Sequence, residues 1–286
     1  MKTWPRRLGI LVGILAASYL AACVYIWVKQ VDKIFKPLAI IQTTPARMGM
    51  AFDEVSIPVG SAQNQGKLHG FWVPVDNTNA PAFLYLHGNN ATIGKNLDHI
   101  QRLHQLGYHV LLIDYRGFGK SIGAGKPSET KVYEDAEAAW NYLTRVRGVK
   151  PQQAFIYGHS LGGAIAIELA TRYPEAAGLI AESTFTSMQA MAKRDYWYLP
   201  TGFLLKHRFD SIQKIGALRV PVLLIHGTRD EKVPFEMTEQ LYAAAPQPKE
   251  RLLIEGGEHA NSGSIGWVEY KNKVTAFVQE QLKRAK

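Results

Sequence analysis

Ala154-Phe155-Ile156-Tyr157-Gly158-His159-Ser160-Leu161-Gly162-Gly163 is the stretch that decides the fold. Residues 154–157 are an apolar run of strand length, and residues 162–170 carry a helical pattern. Between them, Gly158-His159-Ser160-Leu161-Gly162 matches Gly-x-Ser-x-Gly, the strand–turn–helix elbow that lifts a serine hydroxyl above the edge of an α/β sheet. The reason is steric. The turn forces Ser160 into a strained backbone conformation, and flanking residues without side chains let strand and helix approach closely. Ser160 is therefore the candidate nucleophile.

Outward from this elbow, short apolar strands alternate with amphipathic helices. Residues 52–59 and 67–75 read as an antiparallel pair joined by a polar turn. Residues 82–86, 109–114, 178–181, 221–226 and 251–254 are further buried strands, and 97–106, 130–146, 161–172, 236–245 and 264–282 have helical spacing. This alternation predicts an α/β fold with a mostly parallel sheet of about eight strands, covered by helices on both faces. Residues 188–219 break the rhythm. They are too long for a simple crossover and cluster Tyr196, Trp197, Tyr198, Leu199, Phe203, Leu204 and Leu205, which reads as a small cap over the sheet edge.

A serine hydroxyl is a weak nucleophile and needs a base within hydrogen-bond reach. His259, in the flexible Glu255-Gly256-Gly257-Glu258-His259 turn after the last strand, is the candidate. His69, His99, His104, His109 and His207 fall on predicted strands, helices or the cap, where packing and surface roles are expected. The base in turn needs an acid to fix its tautomer. Asp230, ending His226-Gly227-Thr228-Arg229-Asp230, fills that role and preserves the chain order Ser, Asp, His. An Asp at this place also suits a helix cap, since Val233-Pro234 follows it. Glu182, at the same sheet edge, is the rival acid, read instead as shaping the pocket or bonding to Ser183 or Thr184. Backbone N–H groups of Leu161 and of Asn89, in His87-Gly88-Asn89-Asn90, are the expected oxyanion donors.

These motifs together resemble the α/β-hydrolase superfamily. They include Leu86-His87-Gly88-Asn89, Asp114-Tyr115-Arg116-Gly117-Phe118-Gly119-Lys120-Ser121, Glu182-Ser183-Thr184-Phe185 and Gly257-Glu258-His259. Within the superfamily the chain is similar to membrane-anchored serine hydrolases of the bud-emergence type, related to the eukaryotic ABHD depalmitoylases. The resemblance implies an α/β-hydrolase fold and a serine hydrolase that cleaves carboxylic esters or thioesters through an acyl-enzyme. That chemistry needs no metal or organic cofactor, and the aromatic cap and the membrane attachment point to an acyl or lipid-derived small-molecule substrate. A serine peptidase of the same fold and a non-catalytic binder of lipids or partners are the other readings. The chain lacks the cysteine-rich N-terminus of the eukaryotic relatives. The 114–121 loop is read as structural, with Arg116 pairing to a nearby carboxylate.

The first segment bears on location. Residues 8–28 carry no charge and follow Lys2, Arg6 and Arg7, long enough to cross a bilayer as a helix. Leu20-Ala21-Ala22-Cys23 also resembles the lipobox of bacterial lipoproteins, although the residues after it stay apolar. Either reading attaches the chain to a membrane, with the catalytic domain expected outside the cytoplasm. The expected division is an anchor over 1–28, a linker over 29–49 and a hydrolase domain over 50–286. The lone Cys23 allows no intramolecular disulfide and no cysteine-based zinc site. The net charge of +9 is spread without a nucleic-acid module, which favours an anionic membrane surface over nucleic acid.

Overall fold

The elbow strand, β5 (Ala154–His159), lies inside a mixed sheet in the computed structural model, which describes residues 4–60, 65–90 and 92–284. The other strands are β1 (Asp53–Val59), β2 (Gly66–Val73), β3 (Ala82–Leu86), β4 (His109–Ile113), β6 (Gly178–Glu182), β7 (Val222–Gly227) and β8 (Lys249–Ile254). Among the described residues these eight form one sheet in the order β1-β2-β4-β3-β5-β6-β7-β8. β1 pairs antiparallel with β2 and β2 with β4, and every later pairing is parallel. The polar turn expected between β1 and β2 lies partly outside the described residues, as does Lys2 of the basic N-terminal flank. The carboxyl ends of β3, β5, β6, β7 and β8 share one edge, where an open α/β sheet offers its binding crevice.

Side-chain alternation explains why the sheet is covered twice. Along β3, Leu84 and Leu86 face one core while Phe83 and Tyr85 face the other; along β5, Ile156 faces the first and Phe155 and Tyr157 the second. The first core is closed by α3 (Glu129–Asn141) and α4 (Leu161–Arg172), through Val132, Trp140, Ile165 and Leu169. The second is closed by α2 (Leu97–Gln105) and α10 (Trp267–Arg284), through Ile100, Leu103, Val274 and Phe277. Ser128 caps α3 by accepting the Lys131 N–H at 3.3 Å. The single helix expected over 130–146 ends in a π-turn, Tyr142–Val146. The one expected over 264–282 is broken into α9 (Ser262–Ile265) and α10 at Gly266, where a Cβ would press 2.5 Å from Ile254 Cγ2. Arg116 pairs as expected: its Nε lies 2.5 Å from Asp135 Oδ1, and its backbone N–H donates to Oδ2 at 2.8 Å.

The expected boundary between anchor and linker at residue 28 is not a break in the helix. α1 (Trp4–Ile34) continues past it for nearly two turns. Ile34 and Phe35 are buried, and Phe35 packs edge-on against Phe209 at 6.1 Å. Farther along, the Gly119 N–H donates to the Leu38 carbonyl at 2.8 Å, and Pro45–Met48 forms a 3-10 turn. The 29–49 stretch is thus laid along the domain instead of spacing it away, because its apolar side chains find core positions that no local pattern announces. The segment after β6 forms α5 (Met188–Asp195), α6 (Thr201–Leu204) and α7 (Ser211–Lys214). Its aromatic cluster divides: Leu199 is buried, and Trp197, Tyr198 and Phe203 face outward.

Candidate active site

Ser160 sits between β5 and α4 at φ 56°, ψ −121°, a left-handed conformation that a serine holds only when its surroundings impose it. The imposition is visible. The Ser160 N–H donates to the Glu182 carbonyl at 2.9 Å, and its own carbonyl accepts from Gly163 N–H and Thr184 Oγ1, each at 2.9 Å. A Cβ on Gly158 would collide with the Gly162 carbonyl, and one on Gly162 with the Leu86 carbonyl, so the elbow closes only on glycine. The N-terminus of α4 then points its free N–H groups and positive dipole end at the hydroxyl.

His259 arrives from the loop after β8 and Asp230 from the loop after β7. Ser160 Oγ lies 3.0 Å from His259 Nε2, and His259 Nδ1 lies 2.7 Å from Asp230 Oδ2. The carboxylate accepts at Nδ1, so the ring proton belongs there and Nε2 is left to accept from the serine. Burial pushes the Asp230 carboxyl up. Hydrogen bonds from His226 and His259 outweigh this and hold it well below the usual carboxylate range, so it is ionised. Its Oδ1 separately accepts the N–H groups of Lys232 and Val233, each at 2.9 Å. The expected helix cap does not form, since the next helix starts only at Glu236 with Phe235 before it; Oδ1 instead closes the turn, and Oδ2 faces the imidazole.

Glu182 stands apart from the imidazole. It accepts from Tyr157 Oη at 2.5 Å and Ser262 Oγ at 2.7 Å, with Arg102 Nη2 at 3.7 Å and His99 Nε2 at 3.6 Å. Burial opposes its charge, but Arg102 and then His99 restore it, leaving it ionised. The expected bonds to Ser183 or Thr184 do not form, because the side chain turns to the other face of the sheet, toward α2 and α9. There it ties Ser262, just beyond His259, to the sheet. His69, His104 and His207 stay away from Ser160, while His99 lies under the site against His159, ring centroids 4.8 Å apart.

Two residues of the site had no assigned role in the sequence reading. His226 Nε2 lies 3.1 Å from Asp230 Oδ2 and 2.9 Å from the Val233 carbonyl, and its Nδ1 lies 2.6 Å from Thr238 Oγ1. His159 Nε2 donates to the His259 carbonyl at 2.7 Å. Burial, aided by His259, lowers the His159 pKa to about 4, so this ring is neutral. The available signal was their placing: each ends a buried strand within the quoted motifs.

Asn89 and Leu161 line the same cavity of about 440 Å³ as Ser160 and His259. Among the described residues neither backbone N–H has a protein acceptor, as donors kept for an oxyanion require. The Asn89 side chain donates to the Ile34 carbonyl at 3.0 Å, and its carbonyl accepts the Lys36 N–H at 3.0 Å. Phe185, Met188, Met191 and Leu205 supply apolar wall. Among the described residues no group of three His, Cys, Asp or Glu side chains is placed to hold a metal ion.

Residues 78–212 match a family model described as serine aminopeptidase, S33. The uncharacterized protein Rv2307c of Mycobacterium tuberculosis is 34% identical over 249 residues, spanning 87% of this chain and 86% of that protein. Human alpha/beta hydrolase domain-containing protein 17B is 33% identical over 204 residues, 70% of this chain and 66% of that one. Among solved structures, the Pyrococcus furiosus esterase Pf2001 superposes with a TM-score of 0.70 at 22% identity, covering 86% of this chain and 99% of the esterase. That likeness concerns the fold.

Proposed function

The chain belongs to the α/β-hydrolase superfamily, and from that membership we propose that it is a serine hydrolase of carboxylic esters or thioesters. The observation that carries this reading is the unbroken line of hydrogen bonds from Ser160 Oγ through both ring nitrogens of His259 to Asp230. Ser160 attacks the acyl carbonyl while His259 Nε2 takes its proton, and Asp230 stabilises the imidazolium. The N–H groups of Leu161 and Asn89 receive the charge that develops on the carbonyl oxygen. His259 then returns the proton to the leaving alcohol or thiol, and the acyl group stays on Ser160. A water molecule, deprotonated by His259, attacks the acyl-enzyme; the carboxylic acid leaves and the serine regains its proton.

The apolar wall of Phe185, Met188, Met191 and Leu205 suits an acyl chain. The serine aminopeptidase description of the matched family favours a second reading, hydrolysis of short peptides. A protonated peptide amine needs facing carboxylates. Asp195 lines the cavity, but so do Lys33, Lys36 and Lys232, a balance that favours neutral or anionic substrates. α1, whose Arg7–Ile34 portion is long and apolar enough to cross a membrane, is read as the anchor, with the domain outside the cytoplasm. Lipidation at Cys23 is the other route to the same place.

The test uses the full chain in detergent. A fluorophosphonate probe labels the wild-type protein and fails to label Ser160→Ala. Labelling that survives the substitution removes Ser160 as nucleophile, and faster turnover of amides than of esters across a matched panel favours the peptidase.

A further inference from the structure

α1 is more than a tether, because its last turns form one wall of the cavity beside Ser160. Ile26, Gln30 and Ile34 are its buried positions before Phe35. Their spacing of four places them on one helical face, and all three line the cavity. Polar bonds fix the contact. Gln30 Nε2 donates to the Leu204 carbonyl at 3.2 Å, Gln30 Oε1 accepts the Lys206 N–H at 2.7 Å, and Lys33 Nζ donates to Tyr196 Oη at 3.0 Å. Through Ile34 and Lys36 the end of α1 also pins Asn89. The helix therefore grips the cap and the proposed oxyanion loop together.

Upstream the picture changes. Trp4 and residues 7–21 are exposed on every side, as a helix surrounded by lipid would be. The cap nevertheless reaches back beside this bare section. Tyr19 Oη donates to the Tyr198 carbonyl at 3.2 Å, about 13 Å inside the end of the apolar run at 1.5 Å per residue. Around that contact Trp197, Tyr198 and Phe203 are 77%, 51% and 94% exposed, and Lys206 Nζ sits 4.0 Å over the Trp27 ring. Outward-turned aromatic rings are costly in water and favoured at a membrane interface. If residues 8–28 sit in a bilayer, the 197–203 stretch sits in its near leaflet.

We propose that the cap is embedded in the bilayer alongside α1 and that the active-site cavity opens sideways into the leaflet. On the serine-hydrolase reading above, the substrate class is then a membrane-resident acyl amphiphile, an ester or thioester that reaches Ser160 from the lipid and not from water. Its acyl chain lies against Ile26, Met188, Met191 and Leu205, and its head group meets Lys33, Lys36 and Lys232 at the cavity rim.

Two measurements on the full chain in phosphatidylcholine–phosphatidylglycerol vesicles decide this. In the first, a nitroxide is attached to Phe203→Cys in a Cys23→Ser background. Protection from a water-soluble nickel chelate, with ready access to oxygen, is the expected result; chelate access as in water overturns the embedding. In the second, hydrolysis of a vesicle-borne oleoyl ester is compared with that of a water-soluble butyryl ester. The oleoyl-to-butyryl ratio is expected to fall at least about fivefold in Trp197→Ser/Phe203→Ser. It is also expected to fall in Ile26→Trp, where the added ring fills the chain's path. Ratios unchanged in both variants overturn the lateral route. A wild-type chain that cleaves neither ester and resists the fluorophosphonate sinks the serine-hydrolase reading instead, and the nitroxide result still decides the embedding.

Discussion

His226 Nε2 lies 3.1 Å from Asp230 Oδ2, the same oxygen that faces His259 Nδ1 at 2.7 Å. The other oxygen, Oδ1, is occupied by the N–H groups of Lys232 and Val233. One buried carboxylate thus orients an imidazole with one atom and closes its own loop with the other, and the two tasks can be separated by substitution.

Asp230→Asn keeps an acceptor at Oδ1 but presents an amide N–H to His259, which reverses the imidazole tautomer. Ester turnover is expected to fall by about 10³–10⁴-fold, with a melting temperature close to that of the wild type. Asp230→Ala loses the turnover and, in addition, about 1–3 kcal/mol of stability from the stranded N–H groups. Parallel kinetics and thermal melts read both. Equal melting temperatures for the two variants would show that the loop bonds contribute nothing.

His226→Phe removes the second donor to Asp230 while filling the buried volume. A residue that acts by positioning the acid should alter kcat and leave substrate binding alone. The expectation is a kcat lower by about tenfold, one hydrogen bond's worth of about 1.4 kcal/mol, with KM within about twofold. A change confined to KM would contradict it.

Glu182→Gln separates the rival acids. Arg102, 5% exposed, then loses its buried counter-charge, at about 3–5 kcal/mol. This corresponds to a drop of about 10 °C in melting temperature for a chain of this size. Below its melting point the variant retains kcat within about tenfold, because Asp230 and not Glu182 touches His259. A loss matching that of Asp230→Asn would reassign the acid.

His159 makes stability depend on pH in a definite direction. Its folded-state pKa of about 4 lies below its ordinary 6.5, so the unfolded chain takes up the extra proton as pH falls. The linked stability is complete above pH 6.5 and drains away toward pH 4, roughly 3 kcal/mol in all. Asp135, pushed up to about 6 by burial with Arg116 only partly offsetting it, has the opposite sign: its contribution is present below pH 3.8 and is lost as pH rises through 6. The two oppose each other in the wild type, so the informative quantity is the difference from His159→Gln, which still donates to the His259 carbonyl but does not titrate. Between pH 7 and 4.5 the wild type should lose about 2–3 kcal/mol relative to the variant in chemical denaturation. A pH-independent difference would show that the ring is not held neutral.

The elbow and the turns that carry Asp230 and His259 were legible because each is a local pattern: a glycine pair that alone permits a close approach, a polar turn after a buried strand. What was not legible depends on partners distant in sequence. Nothing near His226 announces that Thr238 and Val233 will bracket its ring, and nothing near Glu182 points to Arg102 or Ser262. The continuation of α1 to Ile34 was not legible for the same reason. Ile34 and Phe35 follow charged residues and look like the start of a linker, yet they are buried by Phe209 and the cap across more than 170 positions of chain.

The regular spacing of Ile26, Gln30 and Ile34 keys α1 to the domain like a shaft in its slot. Inserting one residue between them would swing the following side chains by about 100° and pull the key out of register. An insertion before Tyr19, the first position that touches the cap, would only lengthen the shaft by about 1.5 Å. α1 is therefore interchangeable before Tyr19 and bespoke after it, and a fragment trimmed at Lys36 to improve solubility would discard part of the very chamber it was meant to expose.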